Sequence, residues 1–205
     1  MKKKYIILDL DNTIYPVYTI GNELFKTLFE LIEQSNAYEE SLELVKRDIM
    51  RKPFQVVAGQ YGFSTALTQA GIELLKNLEY NGPIRPFDDY ELVKNYPQKK
   101  FLVTTGFQKL QWSKIRGMQI ENDFTDIRIV DPMTSSQTKK DVFIDLIKKY
   151  ELNKEELLVV GDDPHSELQA ANELGIDAVL YDKLQLNPDA PFSTITDYNQ
   201  LNNYL

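Results

Sequence analysis

The stretch that most constrains the fold is Lys4-Tyr-Ile-Ile-Leu-Asp-Leu10, a nearly continuous apolar run that ends in acidic residues. A run of this kind suits a strand buried on both faces in a parallel sheet, delivering polar groups at its carboxyl end. The same signal returns at Lys100–Thr104, Asp126–Val130, Glu156–Val160 and Asp177–Leu180. Helical periodicity is expected at Gln108–Met118, Lys139–Tyr150 and Ser166–Leu174, the last with Gly175 placed for a C-terminal cap. Strand and helix therefore alternate, which predicts a parallel sheet flanked by helices and joined by right-handed crossovers. Thr194–Thr196 reads as an edge strand, and Asp197 as the cap of a final helix through Leu205.

Residues 17–85 follow a different rule. They hold no convincing strand, and Leu24, Phe25, Leu28, Phe29, Leu31 and Ile32 recur at helical intervals. Further helical patterns run from Glu39 to Met50 and from Thr65 to Leu78, with Pro53 opening a short helix through Tyr61. Gly82-Pro83 and Pro86 punctuate the return. The reading is a core of residues 1–16 and 86–205 carrying a helical cap inserted at 17–85, which suits a chain of 205 residues.

Polar residues gather just beyond the expected strands, where open α/β sheets bind ligands. Asp9-Leu-Asp-Asn-Thr13 offers two carboxylates at alternate positions, and Gly161-Asp-Asp163 follows a later strand. Thr104-Thr-Gly106 offers hydroxyl and backbone donors to a phosphate, and Lys139 or Lys140 opens a helix nearby. Phosphoryl transfer needs a nucleophile, a proton donor for the leaving oxygen, and a cation to offset charge on the transferred oxygens. Asp9 and Asp11 can supply the first two. Taken singly, each feature also has a plain reading as a loop, turn or solvated charge.

Several classes are disfavoured. A net charge of −8 argues against general nucleic-acid binding, yet a bound cation would reverse that sign locally for a small anion. No apolar run approaches the roughly 18 residues of a membrane span. The lack of cysteine removes disulfides, thiolate metal sites and cysteine nucleophiles, and a cytoplasmic setting is expected. The P-loop, dinucleotide and G-x-S-x-G patterns are missing. His165, the single histidine, is expected to cap a helix or face solvent.

In order along the chain these motifs resemble the haloacid dehalogenase-like hydrolase family, specifically its capped phosphatases. Asp9-Leu-Asp-Asn-Thr13 matches the first motif, Phe101-Leu-Val-Thr104 the second, Lys139 or Lys140 the third, and Gly161-Asp-Asp-Pro-His-Ser-Glu167 the acidic fourth. The resemblance implies an α/β fold with a Rossmann-like parallel sheet, helices on both faces and an inserted α-helical cap. It implies that Asp9 becomes a transient aspartyl phosphate and that Asp11 protonates the leaving alkoxide, then activates water. Thr104, Thr105 and Lys139 would bind the phosphoryl group, with Lys140 the alternative lysine. Mg2+ would be held by Asp9, the main-chain carbonyl of Asp11, and Asp162, with Thr13, Asp163 and Glu167 in support. The family often has aspartate where Glu167 stands, so ligation by Glu167 stays open.

The expected activity is hydrolysis of a small organic phosphate monoester. The Asp-Asn-Thr-Ile-Tyr-Pro run is similar to that of pyrimidine-nucleotidase-like members, which points to nucleoside monophosphates among other small phosphorylated metabolites. Phosphomutase chemistry would use the same nucleophile; a receiver-like signalling module or a silent binding protein would fit the pattern less well. In the insertion, Phe54, Tyr61 and Phe63 suit helix packing better than base stacking. Arg51 and Lys52 suit either a solvated pair or contact with an anionic substrate.

Overall fold

The computed structural model describes residues 2–36 and 41–205. Six parallel strands form one sheet in the order β3-β2-β1-β4-β5-β6. They are β1 (Tyr5–Leu8), β2 (Lys99–Thr105), β3 (Asp126–Val130), β4 (Leu157–Gly161), β5 (Asp177–Tyr181) and β6 (Thr194–Ile195). The strand order changes direction at β1, which pairs β2 on one side and β4 on the other. Loops leaving β1 and β4 diverge there, opening the crevice in which such sheets bind ligands.

Alternate strand residues feed two cores. Ile7, Phe101, Val103, Leu157 and Val159 pack on one face beneath α8 (Lys139–Tyr150) and α9 (Glu167–Leu174). Ile6, Leu8, Leu102, Leu158 and Val160 face the other way, toward α6 (Tyr90–Lys94) and α7 (Gln108–Met118). Between β1 and α6 the described chain contains only helices: α1 (Tyr18–Leu24), α2 (Lys26–Ser35), α3 (Leu42–Ile49), α4 (Phe54–Gln60) and α5 (Thr65–Asn77). The buried residues of these helices are continuous with the second core, and α5 packs on α7. No helix among the described residues is long and apolar enough to cross a membrane.

The sequence reading differs at the ends of elements. β1 stops at Leu8, so Asp9 and Asp11 both lie beyond the strand, and the chain turns at residues 12–14. The helix expected from Glu39 is described from Leu42, with the Ser41 hydroxyl accepting from the Glu43 N–H; residues 39 and 40 lie outside the described chain. The last element is a 3-10 helix, Tyr198–Asn203, rather than a helix through Leu205. Its Asp197–Gln200 capping box forms as expected of Asp197.

Candidate active site

The loop after β1 is built to turn sharply. Asn12 sits in left-handed backbone at φ 57°, which asparagine tolerates, and its side-chain oxygen accepts from the Val17 N–H at 3.1 Å. Its own N–H donates to the Tyr15 carbonyl at 2.9 Å. Thr13 is fully buried, yet its hydroxyl has no partner among the described residues. The loop is held instead through the Thr13 carbonyl, which accepts from the Tyr198 hydroxyl at 2.8 Å.

This turn sends the two aspartates into separate surroundings. Asp9, with its N–H on the Val160 carbonyl, points into a group with buried Lys139 and Glu167 and half-buried Asp162. The Lys139 ammonium donates to Asp9 Oδ1 at 2.6 Å and to Glu167 Oε2 at 2.7 Å. Glu167 Oε1 accepts from the Asp163 N–H at 2.9 Å, so both its oxygens are engaged. Gly161 is required beneath it, because a Cβ there would collide with the Glu167 carboxylate. Lys140 points outward to Glu173, which assigns the buried lysine position to Lys139.

Three carboxylates facing one ammonium leave an excess of negative charge. Burial, then the neighbouring Glu167 and Asp11, push Asp9 up to about 7 against the pull of Lys139. Burial, with Glu167, Asp9 and Asp163, raises Asp162 well above the usual carboxylate range. Burial alone would lower Lys139, but Asp9 and Glu167 reverse this and raise it. Oxygen atoms of Asp9, Asp162 and Glu167 lie within 4.8 Å of one another. An all-oxygen donor set carrying surplus charge fits a hard divalent cation such as Mg2+.

That fit carries a testable pH dependence. Protons compete with a cation for Asp9 below about 7, because its folded value lies above the ordinary one. The rise in melting temperature produced by Mg2+ is expected to be larger near pH 8 than near pH 5.5. An equal shift at both, measured by scanning calorimetry, would remove the carboxylate cluster as the cation site.

Asp11 is gripped by groups that its sequence motif does not contain. Tyr15 donates its hydroxyl to Oδ1 at 2.5 Å, and Lys114 donates to Oδ1 at 2.8 Å and Oδ2 at 3.0 Å. Gln111 donates to Oδ2 at 3.0 Å and also to the Thr104 hydroxyl at 2.7 Å, bridging the first and second motifs. Gly106 has φ +152°, and a Cβ on it would press on the Gln111 side chain. Burial works to raise Asp11, but Lys114, Tyr15 and Gln111 outweigh it and hold the carboxyl below its usual value.

The sequence motifs thus converge in part. Asp9, Lys139, Asp162 and Glu167 meet in one cluster, and Thr104 lies beside Asp11 through Gln111. Thr105 offers its carbonyl to Gln111 at 3.3 Å, and the Gly106 N–H is spent on the Val130 carbonyl. Asp163 Oδ1 accepts from the N–H of exposed His165, which takes no part in the cluster. Phe54 and Phe63 pack on each other inside the helical insertion, so neither ring is free to stack on a base.

An open parallel sheet with carboxylate loops at its switch point defines a class of α/β enzymes acting on small ligands at an acidic centre. The chain belongs to the haloacid dehalogenase-like hydrolase family, whose model matches residues 3–175. It is similar to a glyceraldehyde 3-phosphate phosphatase of Methanopyrus kandleri, 23% identical over 194 residues, covering 84% of this chain and 81% of the relative. A haloacid dehalogenase-like family protein from Streptococcus pneumoniae superposes with a TM-score of 0.72 at 15% identity, over 99% of both chains. The HAD-hydrolase YfnB of Bacillus subtilis, solved bound to magnesium, gives 0.66 at 18% identity, over 100% of this chain and 99% of that one.

Proposed function

We propose that this chain is a Mg2+-dependent phosphatase that hydrolyses a small organic phosphate monoester through an aspartyl phosphate on Asp9. The observation that carries the reading is the separation of Asp9 and Asp11 into two sites, one carboxylate in a cation-fitting cluster and the other gripped by donors beside Thr104. The similarity to a phosphatase of a three-carbon phosphate supports a compact substrate.

In this reading an Asp9 oxygen attacks phosphorus, the bond to the leaving oxygen breaks, and that oxygen takes a proton from Asp11. Water then gives its proton to Asp11 as it attacks the same phosphorus, and the bond to Asp9 breaks to restore the carboxylate. Lys139, donating to Asp9 Oδ1, would offset charge there, while the Thr104 hydroxyl accepts from Gln111 and donates to no group among the described residues, which leaves its hydrogen for a phosphoryl oxygen. Thr105, the last residue of β2, would add a donor for the phosphoryl group. Asp9, Asp162 and the main-chain carbonyl of Asp11 would hold the cation, which when bound neutralises charge on the phosphoryl oxygens. Glu167 and Asp163 act as braces, since both Glu167 oxygens are already engaged. The helices of residues 17–85 serve as a cap over this centre.

Lys114, Tyr15 and Gln111 hold the Asp11 carboxyl below its usual value, which in this reading suits the water step, whereas the leaving-group step requires it to carry a proton. Removing the ammonium in Lys114→Met should therefore raise the Asp11 value. Breakdown of the phosphoenzyme needs ionised Asp11, so its acidic limb is expected to move to higher pH in the variant. Rapid-quench measurement of phosphoenzyme decay against pH checks this, and an unmoved limb would separate Lys114 from the reaction.

The direct test is phosphate release from a panel of sugar, nucleotide and small-acid monophosphates with Mg2+, with metal-free and Asp9→Asn controls. Release that needs both the metal and Asp9 supports the reading. Release that survives both controls would overturn it.

A further inference from the structure

A cleft of about 350 Å³ lies between the helical insertion and the loops that follow β4 and β5. Its core side carries Asp162, Asp163, His165 and Asn187, and its cap side carries Arg47 and Arg51. Asp162 belongs both to this cleft and to the carboxylate cluster, so the cleft borders the proposed reaction centre. Its volume falls at the small end of the roughly 300–1,000 Å³ of typical small-molecule sites.

The cations on the cap side are not equivalent. Lys52 is committed to Asp48 at 2.9 Å and to Gln60 at 3.0 Å. Among the described residues Arg47 pairs only with Asp48, at 3.7 Å. Half-buried Arg51 has no carboxylate partner among the described residues; one of its nitrogens donates to Asn187 Oδ1 at 3.4 Å. Asn187 is itself fixed, with its amide nitrogen on the Asp162 carbonyl at 2.9 Å and its backbone N–H on Asp182 at 3.0 Å. Arg51 is thus set two hydrogen bonds from the backbone of a cluster residue, with most of its five donors unspent. A guanidinium fork so placed matches the two oxygens of a carboxylate or phosphate.

We propose that Arg51, with Arg47 beside it, forms a subsite for a second anionic group, a carboxylate or phosphate on the leaving portion of a short phosphate monoester. This rests on the phosphatase reading for the identity of the first phosphate, but the subsite itself can be tested by binding. Titration calorimetry would use Asp9→Asn protein in Mg2+, so that ligands survive unhydrolysed. The probes are phosphoglycolate, ethylene glycol bisphosphate and, as the neutral-tailed match, ethylene glycol monophosphate.

At least one anionic-tailed probe is expected to bind about tenfold or more tightly than the neutral one, and which of the two does so identifies carboxylate or phosphate. Adding Arg51→Gln should abolish that preference, Arg51→Lys should restore part of it, and Arg47→Gln should reduce it. Equal or undetectable binding of all three probes overturns the proposal, as does a preference that survives both glutamine variants. Hydrolysis of p-nitrophenyl phosphate by the unsubstituted protein separates the two readings: without it the phosphatase reading falls, while the binding preference still decides the subsite.

Discussion

Asp9→Asn is expected to lower metal-dependent phosphate release by about 10⁴-fold or more while the protein remains folded. The amide is nearly isosteric but cannot form the acyl phosphate on which turnover depends. Stability should hold or rise slightly, and the sign follows from the site. Asp9 is pushed up to about 7, so the native state retains a proton that the unfolded chain loses near 4. Stability therefore falls as pH rises from about 4 through 7, and above that the buried charge opposes folding. Asparagine removes that charge, and Lys139 keeps Glu167 as its partner at 2.7 Å. Urea unfolding near pH 8 measures one half of the prediction and initial-rate assays the other. Turnover within tenfold of the unsubstituted protein would assign the nucleophile elsewhere.

The legible parts of this site are those that chemistry keeps adjacent in sequence. Asp9 and Asp11 share one motif because a single turn must present both, and Asp162 follows β4 because that strand lies against β1 in the sheet. The apolar strands are equally clear, since burial on both faces demands near-continuous apolar runs. The grip on Asp11 was hidden because its donors come from elsewhere. Gln111 and Lys114 occupy the buried side of α7, one helical turn apart, among Leu110 and Ile115. Two polar residues interrupting an apolar stripe were the available signal, but without a partner in view they resemble an ordinary amphipathic helix. Tyr15 reads as part of a turn into the insertion, and only the fold brings its hydroxyl back to Asp11.

Periodicity could have separated Lys139 from Lys140. Lys139 stands three and four residues before Val142 and Phe143, both buried, and so shares their face of α8. Lys140 also stands three residues before buried Phe143, but its neighbours four and seven residues on, Ile144 and Ile147, are only partly buried. The ends of elements were less legible for a different reason. Strand limits depend on neighbours, so β1 ends where its last paired residue, Leu8, meets Leu102 and Val160.

The second large effect is expected at Lys139. Its ammonium is the shared partner of two buried carboxylates, with both contacts under 2.8 Å, and it is 7% exposed. Lys139→Ala leaves Asp9 and Glu167 facing one another and Asp162 without compensation. Removing one member of a buried ionic group typically costs about 3–5 kcal/mol, because the remaining charge is stranded. The expected result is a loss of that size in urea unfolding near neutral pH. Without the pull of Lys139, Asp9 takes up its proton at a higher pH than in the unsubstituted protein, so the loss should shrink as pH falls from the alkaline side toward about 7. Mg2+ should recover part of the stability, since a dication can offset the same carboxylates, but turnover should stay low because Asp9 lacks its oriented partner. Lys140→Ala is the matched control: its partner Glu173 is on the surface, so the unfolding midpoint and the turnover should both be unchanged. Equal losses from the two alanine variants would mean that the buried charge group contributes no more than a surface pair, and the assignment of Lys139 to the reaction centre would fall with it.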